Sequence, residues 1–409
     1  MSRPVIGFAG MTHLGLNSAA AAAARGFEVV AYHPAPDRPK IVEPGLDECL
    51  QQQAKRLHFT SSLDALSRCD LVYIAADVPT DDAGKSDLEP IRSLIASVKR
   101  VLGDKALLLV LCQVPPGFTR ALDLAPERLY YQVETLVFGR ALDRALNPER
   151  FIVGCADPSV PLPGSLKAFL DAFGCPILPM RYESAELAKI AINCCLVSSI
   201  SVANTLAELC EGMGADWSEI VPALKHDKRI GQHAYLAPGL GIAGGNLERD
   251  LATVIHFSEE LKTDASVVKA WLANSRHRRD WAARRIKKIL LDKNPTAVIA
   301  IWGLAYKENT HSTKNSPSLA TIEQLGGAKL RLHDPVVRIS KEKTLETPIE
   351  AVQGADALLI LTPWPQYREI DCADIVKAMR GRIVLDPYAV LNPGKAKAAG
   401  LQIHTLGHA

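Results

Sequence analysis

No two cysteines in this 409-residue chain are spaced as C-x-x-C, and no Cys/His set has the spacing of a zinc site, so no metal is expected. The cysteine count is nine, an odd number in a large chain, which points to reduced thiols and a cytoplasmic setting. Charge of one sign is missing as well. With 47 Lys and Arg against 45 Asp and Glu, the net charge of +2 provides no field for nucleic acid. Aromatics make up only 6% of the residues and are not interleaved with basic clusters. No uninterrupted apolar run approaches the roughly twenty residues that cross a bilayer, so no membrane partner is expected. The first ten residues carry one charge, Arg3, and no small-residue cleavage site follows them, so they read as a first strand and not as a leader.

What is present is the composition of a globular protein, 48% apolar and 22% charged, with length for two or three domains. Residues 4–10 form an apolar strand, Leu14 to Gly26 an alanine-rich helix and Phe27 to Tyr32 a second strand, the opening of a dinucleotide fold. The turn reads Gly10-Met11-Thr12-His13-Leu14-Gly15, with Thr12 where G-x-G-x-x-G places its middle glycine. The second strand ends at His33, where an acid would hold the adenosine ribose. His33, Arg38 and Lys40 could pair with a 2′-phosphate, which keeps NADP open beside NAD, or be solvated loop charges. From Glu183 to Cys210 apolar residues recur at helical spacing, longer than an ordinary globular helix, and place Lys189 and Asn193 on one face. The basic runs at Arg276 to Arg279 and Arg284 to Lys288 read as a solvated helix face, and Asn294-Pro295 breaks the chain before a second sheet.

Several stretches share one pattern: Ile41-Val42-Glu43-Pro44-Gly45-Leu46-Asp47-Glu48, Asp70 to Leu88 with Pro79-Thr80, Asn147-Pro148-Glu149, Gly241 to Asp250, and Gly303-Leu304-Ala305-Tyr306-Lys307. Together they resemble the UDP-glucose/GDP-mannose dehydrogenase family over essentially the whole chain. The resemblance implies an α/β protein of two doubly wound Rossmann-like domains joined by a long-helix central dimerisation domain, at 1–180, 181–292 and 293–409. It also implies a homodimer, a nucleotide-sugar substrate and NAD or NADP as hydride acceptor. On the matching positions, Glu134, Lys189, Asn193, Asn246 and Asp250 fall in catalytic places. Gly10, Thr12, His13, Leu14, Gly15, His33, Arg38, Pro79, Thr80, Gln113 and Lys314 fall toward the cofactor, and Phe138, Arg229, Tyr235, Gly241, Gly244 and Lys307 toward the substrate.

The departures carry the functional argument. The family's loop reads G-F-G-G-S-C-F-x-K-D, and this register sets Asn246 on its cysteine nucleophile. An amide cannot form a thiohemiacetal or thioester. Gln113 stands for a threonine that positions water, Phe138 for a second glutamate, Lys314 for an arginine, and Asp386-Pro387-Tyr388-Ala389 for D-G-R-N. Cys112, Cys194 and Cys195 are weighed as substitute nucleophiles and read as plain thiols. The resulting expectation is a nucleotide-sugar enzyme limited to one two-electron step or chemistry built on it. The alternatives are a non-redox enzyme on the same scaffold and a non-catalytic nucleotide-sugar binder.

Overall fold

The structure, a computed structural model, describes residues 3–35, 43–81, 84–339 and 344–408. The chain divides into two compact units, Met1–Ile192 and Asn193–Ala409, so the boundary expected near 293 falls inside the second unit.

The first unit is built on eight strands: β1 (Ile6–Ala9), β2 (Val29–Tyr32), β3 (Leu57–Thr60), β4 (Leu71–Ile74), β5 (Leu107–Val110), β6 (Leu129–Gln132), β7 (Phe151–Cys155) and β8 (Ile177–Arg181). Their order is β3-β2-β1-β4-β5-β6-β7-β8, parallel except between β6 and β7. Chain order reverses between β1 and β4, the switch point beside which ligands bind in such sheets. β1 and β4 are apolar at every position because helices cover both faces of a parallel sheet. Helix His13–Ala24 packs on this core through Ala19 to Ala23, whose methyl groups let its backbone approach closely.

The second unit holds five parallel strands: β9 (Val298–Trp302), β10 (Lys329–His333), β11 (Ala357–Ile360), β12 (Ile383–Leu385) and β13 (Gln402–His404). Their order, β10-β9-β11-β12-β13, is the other doubly wound arrangement. The helices before it, including Trp217–His226, Asn246–Leu261 and Ser266–Arg279, belong to the same unit.

One helix, Tyr182–Met213, carries the division between the units. Its 32 residues span about 48 Å at the helical rise. Tyr182, Ala185, Glu186 and Ile190, then Asn193, Val197, Ala203, Asn204, Ala207 and Cys210 are buried, a stripe at the helical period. By length and composition it is also apolar enough to cross a membrane, with mean hydropathy 1.7. Uninterrupted runs were the wrong test for such a helix, because serines and asparagines break its sequence without lowering the average much.

The basic run is not wholly solvated, contrary to the sequence expectation. Arg278 is fully buried, 3.2 Å from Glu208 and 3.1 Å from Glu211, both on the long helix. Glu211 also accepts from Trp281 Nε1 and the Gly407 amide, each at 3.1 Å. Helix Ser266–Arg279 thus presents one arginine inward and its neighbours outward, a distinction invisible in a run of four basic letters. Arg278→Ala leaves Glu211 facing a buried gap and is expected to cost about 3 kcal/mol, read as a lowered urea midpoint. An unchanged midpoint would overturn this account.

Candidate functional site

The turn after β1 is set by two glycines. Gly10 has φ +98°, and a Cβ there would meet Ala76 Cβ at 2.7 Å. A Cβ on Gly15 would strike the Gly10 carbonyl oxygen. Both glycines are therefore demanded by backbone packing, which sets the amino end of helix His13–Ala24 against the ends of β1 and β4. Thr12 caps that helix with φ −76° and ψ −170°, ordinary extended backbone, so its side chain is what differs from glycine here. Its hydroxyl accepts from the Asp77 amide at 2.8 Å. Asp77 is reached by solvent, yet the protein surrounding it raises its carboxyl above the ordinary range. Glu134 adds to the rise, while Thr12, His13 and the Leu14 amide oppose it.

His13 follows on the same turn. Its Nε2 lies 2.8 Å from Glu43, and its ring stacks on Phe138 with centroids 4.1 Å apart. The buried Glu43 carboxylate also accepts from the amides of Gly139 (3.1 Å) and Ala141 (2.8 Å). Phe138 is thus a lid on His13, held by the same glutamate. Glu134 stands two residues beyond β6, with Lys189 Nζ 3.4 Å from its Oε2 and the Leu136 amide donating to its Oε1. Both members of the pair are mostly shielded, at 13% and 17% exposed for lysine and glutamate. Close by, buried Glu186 accepts from the amides of Gly117 (2.6 Å) and Thr119 (2.8 Å), which shapes the turn after Gln113.

Other cofactor positions lie apart from this cluster. The His33 ring closes on its own loop, with Nδ1 3.1 Å from the Ala35 oxygen. Arg38 and Lys40 lie outside the described residues, as do Ile41 and Val42 of the first shared motif. Thr80 bridges to Ser86, and the Pro79 carbonyl accepts from the Asp87 amide at 2.9 Å, so this loop folds back on itself.

In the second unit the glycine-rich loop wraps around two side chains. Gly241, Gly244 and Gly245 have φ of +77°, +86° and +88°. A Cβ on Gly244 would press into the Tyr306 ring at 2.6 Å, and one on Gly245 would meet the Lys314 stem at 3.1 Å. The Gly244 amide donates to the Lys314 carbonyl at 3.1 Å. Lys307 Nζ sits 5.7 Å over the Tyr306 ring, whose hydroxyl burial pushes up to about 12. Asn246 opens helix Asn246–Leu261 and is exposed, while Asp250, one turn on, is buried. Asn193 Nδ2 donates to Asp250 Oδ2, and Arg249 Nε lies 3.5 Å from the other oxygen.

Burial, reinforced by Asp250 and Cys195, pushes Cys194 up to about 11, which leaves almost no thiolate. Cys112 is fully buried. Arg229 is held by its neighbour Asp227 at 2.6 Å. Tyr235 lines an open cavity of about 660 Å³ with Trp217, His233, Tyr388 and His408.

Asp77, Glu43 and Glu186 were missed as organising residues. Glu43 had a visible signal, the acid that opens a long shared motif, whereas Asp77 and Glu186 had only their side-chain type.

Asp386, beside that cavity, accepts the Leu391 amide at 2.8 Å, and burial raises its carboxyl to about 6. A folded pKa above the unfolded value favours folding at low pH, and the gain is lost as pH rises through about 6. Wild type is expected to lose about 2 kcal/mol of unfolding free energy from pH 4 to 7, and Asp386→Asn to lose less. Equal slopes in denaturant titrations would refute it.

Three family models match the chain: the NAD binding domain of the UDP-glucose/GDP-mannose dehydrogenase family over residues 5–161, its central domain over 183–276, and its UDP binding domain over 300–393. A UDP-glucose 6-dehydrogenase from Pseudomonas aeruginosa is 29% identical over 398 residues, covering 90% of this chain and 87% of its own length. The structure of a UDP-glucose dehydrogenase from Pyrobaculum islandicum superposes with a TM-score of 0.87 at 27% identity, covering 100% and 98% of the two chains. A UDP-D-ManNAc dehydrogenase from Pyrococcus horikoshii shares the fold, with a TM-score of 0.84 at 23% identity over 98% and 99% of the chains.

Proposed function

The chain belongs to the UDP-glucose/GDP-mannose dehydrogenase family, and on that premise we propose that it oxidises a nucleotide sugar with NAD by a single two-electron step, without a covalent enzyme intermediate. The observation that carries this reading is Asn246 at the exposed first position of helix Asn246–Leu261, one turn before buried Asp250. An amide there offers no nucleophile to an aldehyde.

NAD, when bound, supplies the hydride acceptor. Gly10, Gly15 and the amino end of helix His13–Ala24 would hold its pyrophosphate, since the close-packed turn leaves amides directed outward there. Lys189 and Asn193 are four residues apart on one helix and act on the oxygen that gains negative charge, with an ammonium and an amide. Asp250, held by Asn193, relays the hydroxyl proton through water. Glu134 keeps Lys189 in position. Lys307 and Arg229 meet the diphosphate and sugar, Tyr235 the nucleotide, and the Gly241–Gly244 turn gives the substrate a surface free of side chains. The domain reading of 1–180, 181–292 and 293–409 and a cytoplasmic location belong to the same proposal. Nine cysteines without a disulfide support a reducing compartment.

The partner is a second copy of this chain. Val202, Leu206, Leu209 and Met213 lie 39–73% exposed along the long helix. Their spacings of four, three and four form the seam of a paired helix. Leu209→Glu is expected to shift sedimentation equilibrium toward monomer, and a wild type that sediments as monomer would remove this part of the reading.

The activity test offers UDP-, GDP- and dTDP-sugars with NAD, follows reduced nicotinamide, and weighs the products. One equivalent of reduced cofactor per sugar and a product lighter by two hydrogens is the expected result. Asn246→Cys is expected to add a covalent adduct of nucleotide-sugar mass to the protein, because Gln113 and Phe138 do not supply the water-handling groups that would release it. Two equivalents and an acid from wild type would sink the single-step reading. An isomerised sugar without reduction would favour non-redox chemistry, and an unchanged sugar a binder.

A further inference from the structure

The second unit gathers basic groups where its last strand ends. Arg285 from helix Trp281–Ile286, Lys397 from helix Pro393–Ala398, and His404, Thr405 and His408 from β13 and the residues after it line a cavity of about 110 Å³ with Glu211 of the long helix. That volume is well under the roughly 300–1,000 Å³ of pockets for whole small molecules, so the cavity suits a single compact group. None of the residues placed above toward NAD or the nucleotide sugar lines it.

Two cations at this cavity lack a counter-charge. Arg285 Nη2 donates to His404 Nδ1 at 3.2 Å, a neutral acceptor, and neither Nε nor Nη1 finds an acceptor among the described residues. Lys397 is exposed and has no ion-pair partner among them either. Glu211 is the one carboxylate in the lining, and it is matched by fully buried Arg278 at 3.1 Å while also accepting from the Trp281 indole and the Gly407 amide. His408 Nδ1 lies 2.8 Å from Asp216. Because arginine can only donate, His404 Nδ1 accepts and the ring hydrogen sits on Nε2. Burial, and then the neighbouring guanidinium, hold this histidine below its ordinary range, so it is a neutral donor at neutral pH.

We propose that this cavity binds a phosphate group, free or at the end of a small ester, clamped between Arg285 and Lys397 with Thr405 and His404 as neutral donors. A guanidinium partly withdrawn from water attracts an anion more strongly than a solvated one, because the attraction is less screened there. Arginine presents paired N–H groups to phosphate oxygens, and lysine adds a point charge from the opposite wall. Pro393 and Lys397 are four residues apart and meet the cavity from one side of their helix. A bound phosphate therefore joins that helix to β13 and to helix Trp281–Ile286, and stabilises the second unit by mass action. The inference does not depend on the reaction proposed above.

The test is calorimetric titration of the full-length protein at neutral pH and constant ionic strength with inorganic phosphate and, separately, with glycerol phosphate. Wild type is compared with Lys397→Gln and Arg285→Gln. Lys397 is exposed, so its replacement leaves the fold intact, and melting temperatures in phosphate-free buffer check both variants. Wild type is expected to bind phosphate, and each variant to bind it about tenfold more weakly, the loss of one charge-assisted contact. The melting temperature of wild type should rise with phosphate and that of the variants rise less. Inorganic phosphate bound as tightly as the ester supports the site and identifies the free ion as its ligand. Tighter glycerol phosphate, weakened in the same variants, supports it and identifies an ester. Equal affinity in wild type and Lys397→Gln would place the phosphate elsewhere and overturn the proposal, as would the absence of both heat and a rise in melting temperature for wild type. Should Arg285→Gln not fold, the comparison with Lys397→Gln decides alone.

Discussion

The contact between Gly10 and Gly15 constrains everything built on the first sheet. A helix can begin this close to the strand it follows only if neither residue has a side chain, because the place of each missing Cβ is taken by Ala76 or by the Gly10 carbonyl. Once the backbone is packed so, Thr12 must point toward Asp77 and His13 toward Glu43. The same close approach brings the Asp77 amide, beyond β4, to Thr12 Oγ1 at 2.8 Å.

Buried carboxylates do much of the loop building. Glu43 ties the β1 turn to residues 138–141, Glu186 shapes the turn at 117–119, and Asp334 gathers five donors. Those five are the amides of Leu304, Ala305, Val336 and Val337 and the indole of Trp364. Each bond from an amide to a charged acceptor contributes about 1.5–3 kcal/mol, enough to offset the burial of one carboxylate when two or more are made. Glu134 differs in kind. It accepts one amide and otherwise faces the Lys189 ammonium, so its charge is spent on another ionisable group and not on the backbone alone. That difference fits the role proposed for Glu134, and it is not expressed in residue type.

Strands, the long helix and the turn glycines were legible because each is specified locally. β1 and β4 are short apolar runs bounded by turn residues, the long helix repeats its buried side every three to four residues, and glycine marks sites of positive φ. Contact density, which groups the central helices with the second sheet, has no local signature in the sequence. Arg278 was hidden for a related reason: whether a basic residue is solvated depends on which side of its helix meets Glu208 and Glu211, and these lie some seventy positions earlier. Asp77 was the largest omission at the candidate site. In sequence it is one acid among several in a polar loop, and only the fold brings its amide to Thr12 Oγ1.

The glycine-rich loop shows why fold and chemistry are readable to different degrees. Gly241, Gly244 and Gly245 answer to hard limits, positive φ and the Ser275, Tyr306 and Lys314 atoms pressed against them. Position 246 answers to none: it is exposed at the start of a helix, where asparagine or cysteine serves the backbone equally well. On the proposed reading, a change there takes away a nucleophile while leaving the loop, the helix and the Asn193–Asp250 bond as they are. Packing therefore identifies the scaffold strongly and the reaction weakly, and the reaction has to be argued from the single exposed atom that packing does not constrain.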